Sequence, residues 1–501
     1  MSDQASVAED DPLGGAQMDD GGDAKGVVRI ASVAALGGLL FGYDSAVVNG
    51  AVNALGRVYD ISSGLLGFAV ASALIGAATG ALTAGRIADK VGRIWVMKIA
   101  AVLFFSTAII CALAPEGTFG LWVFIIFRLI GGAGVGFASV IAPAYIAEVS
   151  PARIRGRLGS LQQLAIVSGI FLALLINSML ARAAGGSGET LWFGLEAWRW
   201  MFLVVAFPAI IYGVLAFTIP ESPRFLVAKQ RIPEARKVLS LLLGEKNMEF
   251  TIDRIQQSLD AEKDPSWKDL KNKKTGKIYA IVWVGLGLAM LQQFVGINVI
   301  FYYSNVLWES VGFDESQAFT FSVLTSIINI ATTIVAIIFV DKIGRKPLLI
   351  IGSSGMIVSL TAMAIVFGAS PVVDSEPVLT GAGGPIALVA ANVFVIAFGM
   401  SWGPIMWVLL GEMFPNRIRA AALSLATFGQ WMTNFLVTVS FPGLRDISLG
   451  MTYGIYAVFA VISLIFAIRY IRETKGMTLE DMDKVLDEPA AIGKAKKLQA
   501  T

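Results

Sequence analysis

The sequence predicts an all-α integral membrane protein. Twelve transmembrane helices should form two six-helix bundles, with a small cytoplasmic helical domain between them. Of its 501 residues, 56% are hydrophobic and only 15% are charged, and the mean hydropathy is +0.71. Soluble domains carry about 25% charged residues, so a soluble fold is excluded. The number of helices and their division into two bundles follow from the apolar runs and from an internal repeat.

The apolar runs set the number of helices. A transmembrane helix needs about 20 consecutive apolar residues. Twelve runs reach that length, six on either side of a polar stretch. They lie near residues 28–50, 63–85, 95–113, 119–147, 157–181, 197–219, 278–304, 316–340, 347–368, 384–412, 420–441 and 450–471.

The remaining segments complete the predicted domain organisation. The first 26 residues carry seven acids and one base, which predicts a disordered tail, and they lack the basic region of a signal peptide. In the polar stretch, residues 232–243 and 250–259 have the apolar periodicity of helices. The predicted units are an N-terminal tail (1–26), a first bundle (27–219), a helical linker domain (220–277), a second bundle (278–471) and a C-terminal tail (472–501).

Basic residues predict the orientation, because loops on the cytoplasmic side of a membrane are enriched in Lys and Arg. The linker contains thirteen such residues, whereas the loops at 114–120 and 370–384, on the other side, contain none. The linker and both termini are therefore predicted to be cytoplasmic. The absence of organelle-targeting signals favours a bacterial inner membrane among cell membranes.

The two halves of the chain repeat each other. Residues 88–93 (ADKVGR) match residues 340–345 (VDKIGR), and residues 148–155 (EVSPARIR) match residues 412–419 (EMFPNRIR). A third pair, at Glu221 and Glu473, follows the sixth span of each half. Three matches in the same order indicate parallel halves related by an axis along the membrane normal. This organisation is typical of transporters whose site lies between two bundles.

The repeated loops place acids and arginines together at helix ends. Carboxylates accept forked hydrogen bonds from guanidinium groups. Such pairs can hold the halves together in one conformation and release them in another. The alternative interpretation is that they are topology anchors and solvated loop charges. The candidate gate residues are Asp89, Arg93, Glu148, Arg153, Asp341, Arg345, Glu412 and Arg417.

Asp44 and Arg128 are charged residues within apolar runs, in the first and the fourth span. A charge inside a span costs about 2.5–3.5 kcal/mol on insertion scales, so the two residues are natural partners on a substrate or proton path. Alternatively, Asp44 reaches water at a helix end and Arg128 snorkels to the interface. The chain has no histidine, so proton chemistry depends on carboxylates, tyrosines or lysines.

Other chemistries lack the residues they need. Cys111 is the single cysteine, so intramolecular disulfides are excluded and a metal site is not expected. The glycines of residues 132–136 do not have dinucleotide-binding spacing, and no nucleotide-binding loop is present. Together with Gly76 and Gly80, they predict close helix packing instead. We expect no enzyme activity, no cofactor, no metal and no nucleic-acid partner.

Five motifs of the chain are shared with a known family. They are residues 85–89 (GRIAD) with Gly92-Arg93, residues 220–226 (PESPRFL), residues 292–298 (QQFVGIN) with Tyr302-Tyr303, Asp341 with residues 344–346 (GRK), and Gly403-Pro404 with Trp407. Through them the chain, from about Arg29 to Lys475, resembles the sugar porters of the major facilitator superfamily. The resemblance implies the major facilitator fold and transport of a sugar. One departure is Arg472, where the family usually has proline.

A sugar site requires groups that match hydroxyls. Amides and an aromatic platform suit a pyranose better than fixed charges. In the sequence alone, amides within spans are equally explained as contacts between helices. The resemblance implies sugar contacts at Gln163, Gln292, Gln293, Asn298, Asn329, Trp407 and Gln430, with Tyr302, Trp431 and Asn434 near the pocket.

The resemblance also implies a coupling mode. Proton-coupled sugar symporters carry an aspartate at the position matching Asp44 and an arginine at that matching Arg128. We therefore predict proton symport of a monosaccharide by a monomer in the lipid bilayer, with D-glucose first and xylose or galactose next. A passive facilitator is the alternative, because some similar bacterial facilitators also have this aspartate. A non-transporting sugar sensor is a remote one, since the tail after Lys475 has only 26 residues.

Overall fold

The structure, a computed structural model, describes residues 24–150, 155–243, 248–261, 270–271, 276–373, 376–414 and 416–474. Within these ranges the chain is almost entirely helical. The predicted tails lie mostly outside the described residues.

The first half contains the six predicted spans in order. Each begins and ends close to its predicted bounds, and the sixth is interrupted at Val205. The first span also continues, through a 3-10 turn, into a short helix that the sequence did not predict. The helices are α1 (Ala24–Val47), α2 (Val52–Tyr59), α3 (Ser63–Val91), α4 (Arg93–Ala112), α5 (Gly117–Val149), α6 (Arg155–Ala184), α7 (Ala197–Val204) and α8 (Ala206–Leu215).

The linker forms three helices, α9 (Pro223–Ala228), α10 (Ile232–Leu243) and α11 (Met248–Ala261). Proline occupies the first position of α9, where its missing N–H costs nothing, and the Ser222 hydroxyl accepts the backbone N–H of Phe225. The predicted periodic segments thus become α10 and α11. We call the end of the bundles that carries these helices the linker face.

The second half also follows the predicted spans. Two of its spans are broken, the seventh after Phe294 and the tenth after Gly399, and a two-stranded ribbon that the sequence did not predict follows the ninth. The elements are α12 (Ala280–Phe294), α13 (Ile297–Tyr302), α14 (Ser304–Glu309), α15 (Glu315–Ile343), α16 (Arg345–Ala369), β1 (Val372–Val373), β2 (Glu376–Pro377), α17 (Gly383–Gly399), α18 (Trp402–Met413), α19 (Asn416–Ile447) and α20 (Leu449–Tyr470).

Eleven helical segments of the described chain are long and apolar enough to cross a membrane. The remaining predicted span corresponds to α19, which is 32 residues long and more polar than the others. Large apolar side chains such as Val102, Phe207, Val358 and Ile365 point outward and are more than half exposed. An apolar outer surface is expected of helices that face lipid.

Close packing of α3 against α5 depends on glycine. A Cβ atom on Gly76 would lie 1.9 Å from the carbonyl oxygen of Leu129, and one on Gly132 would lie 1.9 Å from that of Ala73. Both distances are far below van der Waals contact, so no other residue fits at either position without separating the helices. The predicted glycine packing is confirmed, and it positions Arg128 on α5 next to α1.

Candidate functional site

A buried ion pair lies in the interior of the first bundle. Arg128 Nη1 lies 3.1 Å from Asp44 Oδ2 and 3.3 Å from the Asp44 carbonyl oxygen. The side chains of Arg128 and Asp44 are only 2% and 3% exposed. Neither charge reaches water, so the two alternatives, a hydrated aspartate and a snorkelling arginine, do not describe this conformation.

The second bundle contacts this pair through Tyr302 on α13. The Tyr302 side chain interacts with those of Ser45 and Asn434. A small cavity is lined by Asp44, Arg128, Ser45 and Tyr302 together. A residue of one bundle therefore shares a cavity with the ionised pair of the other. Arg128 Nε is buried and has no partner among the described atoms, so the guanidinium keeps an unused donor beside this cavity.

Four amides form a chain at the broken seventh span. Gln292 Nε2 donates to the carbonyl oxygens of Trp402 and Gly403, at 3.2 Å each. Gln292 Oε1 accepts from Gln293 Nε2 at 2.9 Å and from Gln430 Nε2 at 3.4 Å. These bonds join α12, α18 and α19, so Gln292 organises three helices of the second bundle.

Asn298 completes the amide chain because the helix breaks before it. Its Nδ2 donates to Gln293 Oε1 at 2.7 Å, although the two residues are five apart and would diverge on a continuous helix. The break depends on Gly296, whose φ of 81° is accessible to glycine. A Cβ there would also lie 2.6 Å from the ring of Tyr456. The sequence predicted the amides but not the geometry that joins them.

Several buried polar atoms near these amides lack partners in the described chain. They include Gln430 Oε1 and Trp431 Nε1. The Trp431 ring lies 5.5 Å from that of Phe41, between centroids, and thus brings α19 against α1. Unsatisfied buried polar groups are rare and require an explanation. A ligand rich in hydroxyls would supply both donors and acceptors here.

The other predicted sugar contacts lie in the same half, with one exception. Asn329 on α15 and Asn434 on α19 are buried, and Asn434 Oδ1 accepts from Thr438 Oγ1 at 3.2 Å. Trp407 on α18 is 39% exposed. Gln163 lies on α6 of the first bundle and is half-buried.

Sequence reasoning missed Gln162, the neighbour of Gln163. It is buried, and neither polar atom of its side chain has a partner among the described atoms. It packs against α1 at Gly38, where a Cβ atom would lie 2.8 Å from Gln162 Nε2. Adjacent amides in one span were visible in the sequence. Only helix rotation decides which of them is buried.

Hydrogen bonds join the two bundles at the face opposite the linker. Asn49 Nδ2 donates to Ser304 Oγ at 2.8 Å, and Asn49 Oδ1 accepts from the backbone N–H of Asn305 at 3.1 Å. Asn53 Nδ2 donates to Glu309 Oε2 at 2.8 Å. We call these three contacts the latch. The backbone N–H of Ser187 also donates to Glu315 at 2.9 Å, so this face is closed.

The charged residues of the repeated loops pair within each half. Arg93 makes a forked contact with Glu148, at 3.1 Å for each bond, and a 3.1 Å bond to Asp89. Arg345 makes the matching contact with Glu412 at 2.7 and 3.1 Å. These pairs join helices of one bundle, so in this conformation they lie within the halves and not between them.

The third repeated acid has a structural role. Glu221 accepts the first two backbone N–H groups of α4, from Arg93 and Ile94, at 3.0 and 3.2 Å. Glu473 does the same at the start of α16. Both therefore satisfy helix N-termini. Of the remaining gate candidates, Arg153 lies outside the described residues, as do the side chains of Asp341 and Arg417.

Comparisons with known proteins agree with this architecture. A family model described as "Sugar (and other) transporter" matches residues 30–486. A glucose transport protein of Synechocystis sp. is 55% identical over 92% of this chain and 97% of its own. A D-xylose-proton symporter of Escherichia coli is 37% identical over 95% of this chain and 98% of its own. A partially occluded inward open conformation of the xylose transporter XylE from E. coli superposes with a TM-score of 0.78 at 36% identity, over 91% of this chain and 100% of that one.

Proposed function

Because the chain belongs to the sugar transporter family and has the major facilitator fold, we propose that it imports a monosaccharide together with a proton, with D-glucose as the first candidate. The predicted family and fold are confirmed: the chain is a multi-pass membrane sugar transporter and not an enzyme. The proposal adds the coupling ion, the sugar and the residues that perform each step. Xylose and galactose are the next candidates.

The observation that carries proton coupling is the buried pair of Asp44 and Arg128. While Asp44 is ionised, the pair is neutral overall and holds α1 against α5. A proton on Asp44 leaves Arg128 as a buried cation without a counterion, which is strongly unfavourable. A conformation in which Arg128 gains water or another partner is then favoured. Asp44 binds a proton more tightly in that conformation than in the described one. Protonation thus shifts the conformational equilibrium by this difference in proton affinity.

Tyr302 provides the link between the proton site and the sugar site. It shares a cavity with the ion pair and interacts with Asn434, which lies on α19 four residues after Gln430. A sugar held by the amide chain would therefore be one contact away from the residue beside Asp44. Sugar and proton load from outside, the bundles rock, and release of both inside restores the pair.

For the sugar site, the support comes from the amides and the unpartnered atoms around them. Gln430 Oε1 and Trp431 Nε1 offer an acceptor and a donor to a hydroxyl. Trp407, partly exposed in this conformation, offers an apolar ring face to the C–H groups of a pyranose. Similarity to the Synechocystis glucose transport protein supports glucose as the first candidate sugar, and similarity to the E. coli D-xylose-proton symporter supports xylose.

The orientation in the membrane is part of the proposal. With the basic linker in the cytoplasm, the latch lies on the outside and the described conformation is closed to the outside. Both termini are then cytoplasmic in a cell membrane. The charged pairs of Arg93 and Arg345 would act as parts of the cytoplasmic gate by keeping each bundle rigid while the halves separate.

The test is uptake of labelled glucose into vesicles containing the purified protein, with and without a proton gradient that is acid outside. We expect accumulation above equilibrium only with the gradient. Asp44→Asn should keep glucose exchange and lose accumulation. The matched control is Asp60→Asn, the same change in an exposed loop where a φ of 48° suits asparagine, and it should accumulate normally.

One outcome would contradict proton symport, and another would contradict the role of Asp44. If the unmodified protein equilibrates glucose at the same rate with and without the gradient, it is a passive facilitator and the Asp44–Arg128 pair is structural. If Asp44→Asn retains full accumulation, another residue carries the proton. If glucose does not enter but xylose or galactose does, the coupling scheme stands and the substrate changes.

A further inference from the structure

A basic cavity lies on the membrane-facing side of the first bundle, away from the transport path. It has a volume of about 520 Å³ and lies where α4 and the end of α8 meet the linker. Four bases line it: Lys90, Lys98, Lys229 and Arg231. The single acid in its lining, Glu221, already accepts backbone N–H groups of α4. The cavity therefore carries an excess of positive charge.

Lys98 is the deepest of these bases. It lies five residues after the first residue of α4, about 7.5 Å further along the helix axis. Its Nζ lies 3.6 Å from the ring centroid of Phe217 and 5.0 Å from that of Trp95. No described acid lies within ion-pair distance of Lys90, Lys98 or Lys229. Arg231 differs, because it pairs with Glu234, and both of those side chains are half exposed.

The rim of the cavity is apolar and faces the membrane. Trp95 is 57% exposed and Phe217 is 72% exposed, although both touch Lys98. Tryptophan is enriched at membrane–water interfaces. Basic side chains thus line the cavity from the linker to Lys98, and two exposed aromatic rings flank Lys98 on the outer surface. That polarity matches an anionic phospholipid, whose phosphate and acyl chains prefer these two environments.

The internal repeat indicates that this cavity is not a by-product of the fold. In the second half, an offset of 252 residues places Ile350 at the position of Lys98, Pro347 at that of Trp95 and Arg469 at that of Phe217. The residues that the halves share, such as Gly92 and Glu221, already have structural roles. The deep lysine and both aromatic residues occur only where the linker adds Lys229 and Arg231.

We propose that this cavity binds the phosphate group of an anionic phospholipid. Lys98 and Lys229 contact the phosphate from α4 and from the linker, and Trp95 and Phe217 contact the first methylenes of the acyl chains. A bound lipid then bridges the first bundle and the linker on the membrane side. The site is independent of the sugar path and of Asp44.

The experiment uses native mass spectrometry of the delipidated full-length protein, titrated with phosphatidylglycerol and, separately, with phosphatidylcholine. We expect tighter binding of phosphatidylglycerol. Each lysine near an anionic surface contributes about a fivefold change in affinity, so Lys98→Gln/Lys229→Gln should weaken that binding about 25-fold. The matched control, Lys237→Gln/Lys271→Gln, removes two exposed linker bases outside the cavity and should leave it unchanged. Lys229→Gln alone, at an exposed position, tests the site if the double variant does not fold.

Three results would overturn the proposal. Equal affinity for the two lipids would mean that the lysines are only snorkelling cations. Equal weakening by the control variant would indicate a general effect of charge. If inorganic phosphate binds with the same dependence on Lys98 and Lys229 and displaces phosphatidylglycerol at comparable concentration, the occupant is free phosphate rather than a lipid.

Discussion

Replacement of Asn49 with alanine should open the closed face of the transporter. Asn49 is 1% exposed and makes two hydrogen bonds across the bundle interface, to Ser304 and to the Asn305 backbone. Each such bond contributes about 0.5–1.5 kcal/mol net, so the closed state loses roughly 1–3 kcal/mol. In the open state Asn49 is hydrated and loses nothing. The equilibrium should therefore shift about 5- to 150-fold toward opening.

The assay follows the accessibility of one cysteine. In a Cys111→Ala background, Val306→Cys places a thiol in the cavity between the bundles, at a residue now 6% exposed. Its labelling rate with a membrane-impermeant maleimide is proportional to the open fraction while that fraction is small. Asn49→Ala should raise this rate by the factor above, until the thiol is accessible most of the time.

The control removes equivalent bonds inside one bundle. Asn392 is buried and accepts from Thr325 Oγ1 at 3.1 Å, entirely within the second bundle. Asn392→Ala should destabilise both conformations alike and leave the labelling rate unchanged. The reasoning is refuted if Asn49→Ala does not change labelling, or if Asn392→Ala raises it as much.

Further predictions concern the sugar site and the linker face. Gln430→Leu should weaken glucose binding about tenfold with little change in Tm, since its Oε1 has no described partner and its Nε2 makes only a long, 3.4 Å bond to Gln292; loss of Tm without loss of binding would make it structural. Gly92→Ala should lower Tm by several degrees, because φ is 103° and the new Cβ would lie 2.3 Å from Glu221, whereas Gly64→Ala, in open space, should not. Glu412→Gln should cost roughly 1–2 kcal/mol of stability by removing the carboxylate from Arg345, which thermal unfolding would show.

The candidate site was predicted in part. The cost of a charge within a span was enough to suggest that Asp44 and Arg128 are partners, because few other groups can neutralise them. The resemblance added the amides, and the structure brings Gln292, Gln293 and Asn298 into one chain. Gln162 and the latch residue Asn49 were not found, because each is one of several polar residues in an apolar run. Their contacts depend on the rotation and tilt of neighbouring helices.

The amino-acid sequence by itself determined the helical spans, their division into two repeated halves and the family. These depend on local properties: the length of apolar runs, the positions of basic loops and short motifs read along the chain. Tertiary structure alone decided three other features. The seventh span is broken at Gly296, where Tyr456 approaches. Arg93 and Arg345 form ion pairs within their own bundles, and the hydrogen bonds of Asn49 close one face. Each depends on contacts between residues distant in sequence, for which local patterns carry no information.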